Sequence, residues 1–428
     1  MVYGSRIAPG PGLSSNHRRL LSTAEPTQTR RLRHIHIPFL PYPPKGDAPS
    51  VWTYGQVCAL QGHLQRRLLD HKVHWSSRHN AADEPENPDP PSLITFTPHP
   101  TFTFGRRQQE EANNPPPGLG SPINFEVYRN SHSHIDSLAT PTAASATANI
   151  HLTPDITTSP RGGLATYHGP GQLVCWPVID LRSEWLQPRH SRHSPLGVRT
   201  WATLLEEITM NLLRERYGIE GFTECKNPGV WSRGLVGSMD SIQDQRPDVC
   251  GNSKGTKDYD VSPSKIAAMG IHLRRHVTSL GISINLSTPI YRSQYLQGAS
   301  NRDRTTIFSE SEQLLLQNNP WSRFLACGIE GRSVTSVLAE ILLAQTEGHY
   351  GRSQELVRDY EDRSRSLEGG LGSLREVVEM EVAATEWAKY LAGAIGLTNE
   401  DGVSIEKCTP QEVGFYPPSG TEELEHLS

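Results

Sequence analysis

The chain has 428 residues, a formal net charge of -5 and 35% hydrophobic residues. This length can bury one or two sizeable cores, and the mild charge gives no general indication of a nucleic-acid partner. The six cysteines are too sparse for a disulfide scaffold and have no zinc-ligand spacing, so reduced thiols, an intracellular compartment and no metal site are expected. No stretch approaches the ~18 uninterrupted apolar residues that would indicate a membrane span.

The first 33 residues have the composition of a mitochondrial transit peptide. They contain six arginines, several serines and threonines, and one acidic residue, Glu25. Arg-rich, acid-poor leaders of this kind are typical of mitochondrial targeting, and the apolar segment of a secretory signal is lacking. The alternative is a disordered basic tail. We predict a transit peptide over residues 1–33 and a location in the mitochondrial matrix.

Apolar periodicity then predicts the regular elements in chain order. An extended segment comes first, followed by a helix, a pair of strands broken by prolines, a second helix, a β-hairpin and two further helices. These elements are predicted over 35–43, 52–70, 92–105, 201–217, 266–286 (with a turn at 274–276), 334–345 and 377–396. Helices interleaved with hairpin-like strands favour an α/β fold with a mixed β-sheet and flanking helices over a doubly wound parallel sheet.

Three polar, Gly- or Pro-containing segments interrupt these elements. They lie at about 108–158, 234–263 and 297–319, and the first contains a proline triplet and the run TPTAASATA. Such composition is typical of long insertions without a packed core, and we expect the first to be largely disordered. The functional domain is therefore predicted to span 34–400 with three interruptions, followed by a C-terminal tail over 401–428.

The segment RGGLATYHGPGQ, residues 161–172, is the first of three that could carry chemistry. Adjacent glycines let a backbone approach a ligand closely, Arg161 offers several hydrogen-bond donors, and Gly-Pro-Gly forces a tight turn before an apolar run. A demanding turn without any ligand is an equally good interpretation of this loop taken alone.

Lys265 and Cys327 provide the other two segments. Lys265 directly precedes a strand of small and apolar residues (SKIAAMG); burial would lower its pKa and let it exchange protons near neutral pH. Cys327 lies in a glycine-rich turn (ACGIEGRS) before a helix that Thr335 or Ser336 could cap, a setting that favours a thiolate. The alternatives are a lysine at a strand end with its charge in solvent and an inert buried cysteine.

Together these segments resemble the lipoyl(octanoyl) transferase family. RGGLATYHGPGQLV is similar to the signature loop of the family almost letter for letter. NPGVW at 227–231, SKIAAMGIHLRR at 264–275, GISINL at 281–286 and ACGIEGRSVTS at 326–336 follow in the family's order, and TYGQVCALQ and PTFTFGRR resemble its opening helix and strand. The resemblance covers about half of the chain and implies the α/β fold of biotin and lipoate protein ligases.

The resemblance also implies the roles of individual residues. The nucleophile falls on Cys327, and the lysine that lowers its pKa and transfers protons falls on Lys265. The acyl-binding positions fall on Arg161, Gly162, Gly163, Leu164, Ala165, Thr166, Tyr167 and His168, on Ala268, Met269 and Gly270, and on Gly281, Ile282 and Ser283. We expect Tyr167, Met269 and Ile282 to line the slot for the acyl chain.

Three positions depart from the family's usual pattern. Leu280 replaces a histidine, Ala326 a proline and Ala268 a serine. These departures concern the acyl pocket and the surroundings of the nucleophile, and leave the Cys–Lys pair intact.

The implied reaction moves an octanoyl group from octanoyl-acyl carrier protein to a lysine of a lipoyl domain, through a cysteine thioester and without cofactor or metal. The implied acceptors are the lipoyl domains of 2-oxoacid dehydrogenase complexes and the glycine cleavage H protein. Two alternatives stay open: an ATP-dependent lipoate–protein ligase, and a non-catalytic binding module of the same fold.

Overall fold

The structure is a computed structural model that describes residues 31–39, 52–77, 89–128, 147–183, 186, 196–235, 263–288, 319–324, 333–341, 380–399 and 402–417. Its helices are α1 (Tyr54–Ser77), α2 (Gln109–Asn113), α3 (Val198–Tyr217) and α4 (Met380–Ala394), with a 3-10 turn at Pro320–Ser322 and a short helix over 337–341. Its strands are β1 (Leu32–Ile37), β2 (Ser92–Phe96), β3 (Thr101–Phe104), β4 (Ile123–Tyr128), β5 (Thr147–Leu152), β6 (Asp155–Thr158), β7 (Thr166–His168), β8 (Gln172–Val178), β9 (Ile219–Thr223), β10 (Gly229–Leu235), β11 (Ser264–Arg274), β12 (Val277–Asn285), β13 (Thr398–Asn399), β14 (Gly402–Val403) and β15 (Ile405–Cys408).

An eight-stranded sheet in the order β15-β1-β2-β8-β12-β11-β10-β9 forms the centre of the fold. β1 pairs in parallel with β15 and β2, and the remaining neighbours are antiparallel. The sheet is therefore mixed, which confirms the predicted fold class.

Helices cover both faces of this sheet because the strand residues alternate between two apolar surfaces. In β8, Leu173 and Cys175 pack with α3 and α4, whereas Val174 and Trp176 pack with α1 on the opposite face. This alternation is the period-2 pattern of a strand that is buried on both sides. Within the described residues no helix is long and apolar enough to cross a bilayer.

The predicted helices at 52–70 and 201–217 and the hairpin at 266–286 are confirmed by α1, α3 and β11–β12. The hairpin turn consists of Arg275 and His276, with φ angles of 50° and 70°, the left-handed pair that tight hairpins require. α4 confirms the body of the last predicted helix. The helix predicted at 334–345 is described only over 337–341.

The prediction that residues 108–158 are largely disordered is wrong for much of this segment. α2, the β4–β5 pair and β6 all lie within it, and β6 joins β3 and β7 in a small three-stranded sheet. The apolar side chains of this layer pack around Phe102 and Trp321, which gives the segment a core of its own. Residues 129–146 lie outside the described residues, as do 236–262 and 297–318 of the other two predicted insertions.

Both predicted ends of the domain need correction. Leu32 begins β1 and is fully buried, so the predicted leader boundary at residue 33 falls inside the central sheet. The predicted tail contains β15, which pairs with β1 from Leu32↔Ile405 to Ile35↔Cys408. The folded chain therefore extends from at least Leu32 to residue 417.

Candidate active site

Arg161 holds the signature loop in shape. Its guanidinium donates to the carbonyl oxygens of Thr103 (2.7 Å), Leu164 (2.6 Å) and Gly162 (3.2 Å), and to the Thr103 hydroxyl (2.9 Å). Four bonds to β3 and to its own loop require the fixed fork of donors that only arginine carries. Arg161 thus fixes the loop and also contributes to the wall of the adjacent cleft.

Two facing glycines form the floor of that cleft. Gly270 of β11 lies opposite Gly281 of β12 in the hairpin. A Cβ on Gly281 would lie 2.1 Å from the carbonyl oxygen of Cys175, and a Cβ on Gly270 would lie 2.7 Å from Cδ of Arg161. Glycine is required at both positions because the chains approach closely there.

The cleft is partly open to solvent and lies between the signature loop and the β11–β12 hairpin; its empty space, with the open solvent counted, is about 380 Å³. Nine residues that the family resemblance assigns to acyl binding line it: Arg161, Thr166, His168, Ala268, Met269, Gly270, Gly281, Ile282 and Ser283. These residues come from three separate chain segments that only the sheet brings together.

Three further lining residues are not among the predicted acyl-binding positions: Tyr54, Trp176 and Leu280, of which Leu280 had been noted only as a departure from the family pattern. Tyr54 stacks on His168, with ring centroids 5.4 Å apart, and meets Trp176 edge to face. TYGQVCALQ in the opening helix was a signal for Tyr54, whereas no sequence pattern singled out Trp176 within its apolar run.

Tyr167 does not line the cleft, which corrects the expectation for the acyl slot. It alternates with Thr166 and His168 on β7, so its ring points to the opposite side and packs against Phe102 and Trp321. Gly162, Gly163, Leu164 and Ala165 are also not among the lining residues. These four form the loop that Arg161 holds.

His168 is buried and neutral. Burial lowers its pKa to about 4, although a hydrogen bond to Gln172 opposes the shift. The bond joins His168 Nδ1 to Gln172 Oε1 (2.8 Å), and because the amide oxygen accepts, Nδ1 carries the proton. The second ring nitrogen is then left in the acceptor form.

A buried polar chain runs from His168 to the segment after Cys327. The Gln172 amide donates to Asn285 Oδ1 (2.9 Å), and the Asn285 amide donates to the Thr335 carbonyl (3.0 Å). Thr335 N in turn donates to the carbonyl of Lys265 (2.9 Å). The cleft and the strand that bears the lysine are thus joined by side chains that are at most 7% exposed.

Lys265 is itself buried, with 5% of its surface exposed. Nζ donates to the carbonyl of Pro228 (2.8 Å) and lies 5.1 Å from the ring centroid of Trp231, the residue opposite it on β10. A buried ammonium group needs such partners, because its desolvation is costly. Lys265 is therefore held in place within β11 rather than extended into solvent from a strand end.

Cys327 lies outside the described residues, as does Ala326. The segment directly after it forms a parallel bridge with Lys265 at Val334, and Lys265 N donates to the carbonyl of Ser333 (2.9 Å). Ser336 accepts a hydrogen bond from Ala339 N (3.2 Å) and so caps the short helix; it is one of the two residues, with Thr335, that the sequence offered as a cap.

Leu280 and Ala268, two departures from the family pattern, both line the cleft. Leu280 has a φ angle of 60° in the middle of β12, a left-handed conformation that is strained for a bulky side chain and more accessible to histidine. The family's usual histidine would thus suit this backbone better, whereas Leu280 makes this wall of the cleft apolar.

Parts of this chain are similar in sequence to known proteins. The family model for the lipoyl protein ligase A/B catalytic domain matches residues 153–313. A probable octanoyltransferase of Schizosaccharomyces pombe is 29% identical over 245 residues, which cover 57% of this chain and 76% of that protein. An octanoyltransferase of Alkaliphilus metalliredigens is 31% identical over 149 residues, 34% of this chain and 50% of its own length.

Over the matched residues the chain is similar to lipoyl/octanoyl transferases, which are acyltransferases. It spans about half the length of the bacterial relative and three quarters of the yeast one. A putative lipoate protein ligase from T. acidophilum aligns over 93% of this chain and 92% of its own, at 10% identity and a TM-score of 0.34. The likeness to octanoyltransferases rests on the sequence matches.

Proposed function

We propose that this protein is a lipoyl(octanoyl) transferase that takes octanoyl from octanoyl-acyl carrier protein and attaches it to a lysine of lipoyl-domain proteins. The observation that carries the proposal is the cleft, in which nine of the positions expected to bind an acyl chain meet beside the strand of Lys265. Its glycine floor and the side chains of Met269, Leu280 and Ile282 suit an alkyl chain, whose burial contributes ~0.8 kcal/mol per CH₂.

The first half of the reaction forms a thioester on Cys327. The thiolate attacks the thioester carbonyl of the donor, the tetrahedral intermediate collapses, and the thiol of the acyl carrier protein leaves with a proton. Lys265 is the group that exchanges this proton. The carbonyl of Ser333 accepts a hydrogen bond from Lys265 N. Cys327 is six residues from Ser333, and a chain of that length spans at most about 22 Å.

The second half transfers the acyl group to the acceptor. The ε-amine of the target lysine must be neutral to attack the acyl-enzyme, Lys265 removes a proton from it, and the Cys327 thiolate leaves. An amide replaces a thioester, which is downhill and needs no ATP. We propose the lipoyl domains of 2-oxoacid dehydrogenase complexes and the glycine cleavage H protein as acceptors.

Intact-mass spectrometry tests the proposal. Octanoyl-acyl carrier protein should add one octanoyl group to the wild-type chain, and a lipoyl domain should then remove it. Cys327→Ser should form no stable thioester, and Cys225→Ser, which changes an exposed cysteine, is the matched control.

Two outcomes would contradict the proposed transferase activity. Activity with octanoate and ATP that survives Cys327→Ser would identify a lipoate–protein ligase. A wild-type chain that binds a lipoyl domain but forms no adduct with an authentic donor would identify a binding module.

We also propose that the chain works in the mitochondrial matrix after removal of an N-terminal transit peptide. The arginine-rich composition of the leader supports this location. Because β1 begins at Leu32, the cleavage point must precede that residue. Residues 1–30 fused to a fluorescent protein should direct it to mitochondria, and the same fusion with its arginines replaced by glutamines should not.

A further inference from the structure

The segment Asn227–Trp231 (NPGVW) surrounds Lys265 without any role in the proposed reaction. Asn227 accepts a hydrogen bond from Trp231 Nε1 (3.1 Å), which fixes the ring that faces the Lys265 ammonium group. Pro228, between them, supplies the carbonyl to which Lys265 donates. The segment therefore holds the ammonium group of Lys265 in place, and we call residues 227–231 the lysine seat.

One peptide unit of this seat is bonded at both ends to a charged group. The carbonyl of Pro228 accepts from Lys265 Nζ at 2.8 Å, and the N–H of Gly229 in the same peptide donates to Oε1 of Glu206 at 2.8 Å. A peptide polarised by a carboxylate at its N–H binds a cation more strongly at its oxygen, since bonds in a chain reinforce one another. Glu206 is thus linked to Lys265 through a single polarised amide.

The backbone at this point is shaped for the bond. Gly229 has a φ angle of 117°, which other residues rarely adopt, and a Cβ there would lie 2.3 Å from the Ala267 carbonyl oxygen. Glycine therefore allows the Pro228–Gly229 peptide to point its N–H at α3 and its oxygen at Lys265.

Glu206 is a buried carboxyl group on α3, 8% exposed. Burial raises its pKa, while the Gly229 N–H bond and the positive charge of Lys265 oppose that shift and the neighbouring Glu207 adds to it. On the other elements around Lys265, the described side chains of β10 and of residues 333–336 carry no charge, and Glu340 of the short helix bonds to Thr335 and Ser232 instead. Glu206 is thus a buried acid whose charge interacts with that of Lys265.

We propose that Glu206 is a positioning residue for Lys265, which holds the Pro228–Gly229 peptide in place and so sets both the orientation of the ammonium group and the pH range in which it exchanges a proton with Cys327. This assignment rests on the proposed function, for which Glu206 is a further required residue.

The test compares Glu206→Leu, Glu206→Gln and the control Glu215→Gln, an exposed change of equal charge on the same helix. Leu removes the acceptor, so kcat for octanoyl transfer should fall about 10- to 100-fold, the effect of losing a charge-assisted hydrogen bond. KM for the octanoyl donor should stay unchanged, since Glu206 does not line the cleft. Gln keeps an acceptor for Gly229 N–H without the charge, so it should recover most of kcat with the acid limb of the pH–rate profile moved to lower pH.

A second measurement does not depend on turnover. Alkylation of Cys327 by iodoacetamide can be followed on its peptide by mass spectrometry as a function of pH. The pH profile should shift to lower pH in Glu206→Gln and to higher pH in Lys265→Ala, which loses the positive charge that stabilises the thiolate. It should stay unchanged in Glu215→Gln. Thermal unfolding of each variant separates these effects from a loss of folded protein.

The proposal fails if both Glu206 variants keep the wild-type pH profiles. It also fails if the two variants lose the same activity and that loss matches their loss of folded protein, which would identify a purely structural carboxylate. If the wild-type chain transfers no octanoyl group but the alkylation profiles shift as expected, the proposed function fails and the positioning role stands. If octanoyl transfer occurs and the profiles do not shift, only the role of Glu206 is overturned.

Discussion

The cleft and the lysine seat share strand β11 but are built in different ways. The cleft owes its space to missing side chains: Gly270 and Gly281 face each other, and a Cβ on either would collide with a neighbour. The seat owes its geometry to hydrogen bonds that a backbone peptide makes to Lys265 and Glu206. Changes in the cleft should therefore alter packing and substrate binding, whereas changes in the seat should alter turnover and its pH dependence.

Removal of the lysine should have the largest effect. Lys265→Ala should lower kcat for octanoyl transfer by about 10²- to 10⁴-fold, the usual contribution of a positioned acid–base group, with little change in KM for the octanoyl donor. Steady-state kinetics beside Lys389→Ala, an exposed lysine of α4, provides the measurement and its control. A variant that keeps more than a tenth of wild-type turnover would remove Lys265 from the chemistry.

The two glycines of the cleft should respond differently to a single added methyl group. Gly281→Ala drives the methyl against the backbone of β8, which cannot move independently, so unfolding free energy should fall by about 1–3 kcal/mol or more. Gly270→Ala meets only the side chain of Arg161 and should cost less stability while raising KM for the donor. Urea unfolding and kinetics of both variants check this; equal losses of stability would contradict the packing argument.

Asn285 joins the two regions, since it accepts from Gln172 on the cleft side and donates to Thr335 next to Lys265. Asn285→Leu leaves both buried partners without their bonds and should lower stability by ~1–3 kcal/mol. Turnover should fall together with donor affinity, unlike the separate effects expected at either region. The exposed change Gln109→Ala is the control. If Asn285→Leu alters only turnover or only donor affinity, the cleft and the lysine seat are independent.

Protonation of His168, on the cleft side, should produce the smallest effect. Burial lowers the pKa of His168 to about 4 from an ordinary value near 6.5, so the unfolded chain takes up its proton first. The stability that this histidine contributes is fully present above pH 6.5 and is lost as the pH falls towards 4.

Between pH 7 and pH 5 this loss should amount to about 1–2 kcal/mol. Urea unfolding at both pH values, for wild type and His168→Gln, measures it. A substitution that leaves the pH dependence unchanged would contradict the assignment.

Local patterns in the sequence were sufficient for several elements. The apolar face of α3, the alternation in β11 and β12, and the Ser336 cap follow from side-chain periodicity and from local hydrogen bonding. They failed for residues 108–128 and 147–158, because those short strands are stabilised by a core around Phe102 and Trp321 that forms only when distant segments meet. They also failed at the domain ends, since β15 becomes a strand only by pairing with β1.

The sequence by itself determined the resemblance to lipoyl(octanoyl) transferases, the segments that carry that resemblance and most of the residues around the cleft, because each is a matter of residue type and spacing. Only the tertiary structure decided which side of β7 faces the cleft, so that His168 lines it and Tyr167 does not. It also placed Glu206 on the Pro228–Gly229 peptide, a contact between residues that are 23 positions apart and carry no shared motif. Such contacts depend on how a helix packs across a sheet, which local spacing does not encode.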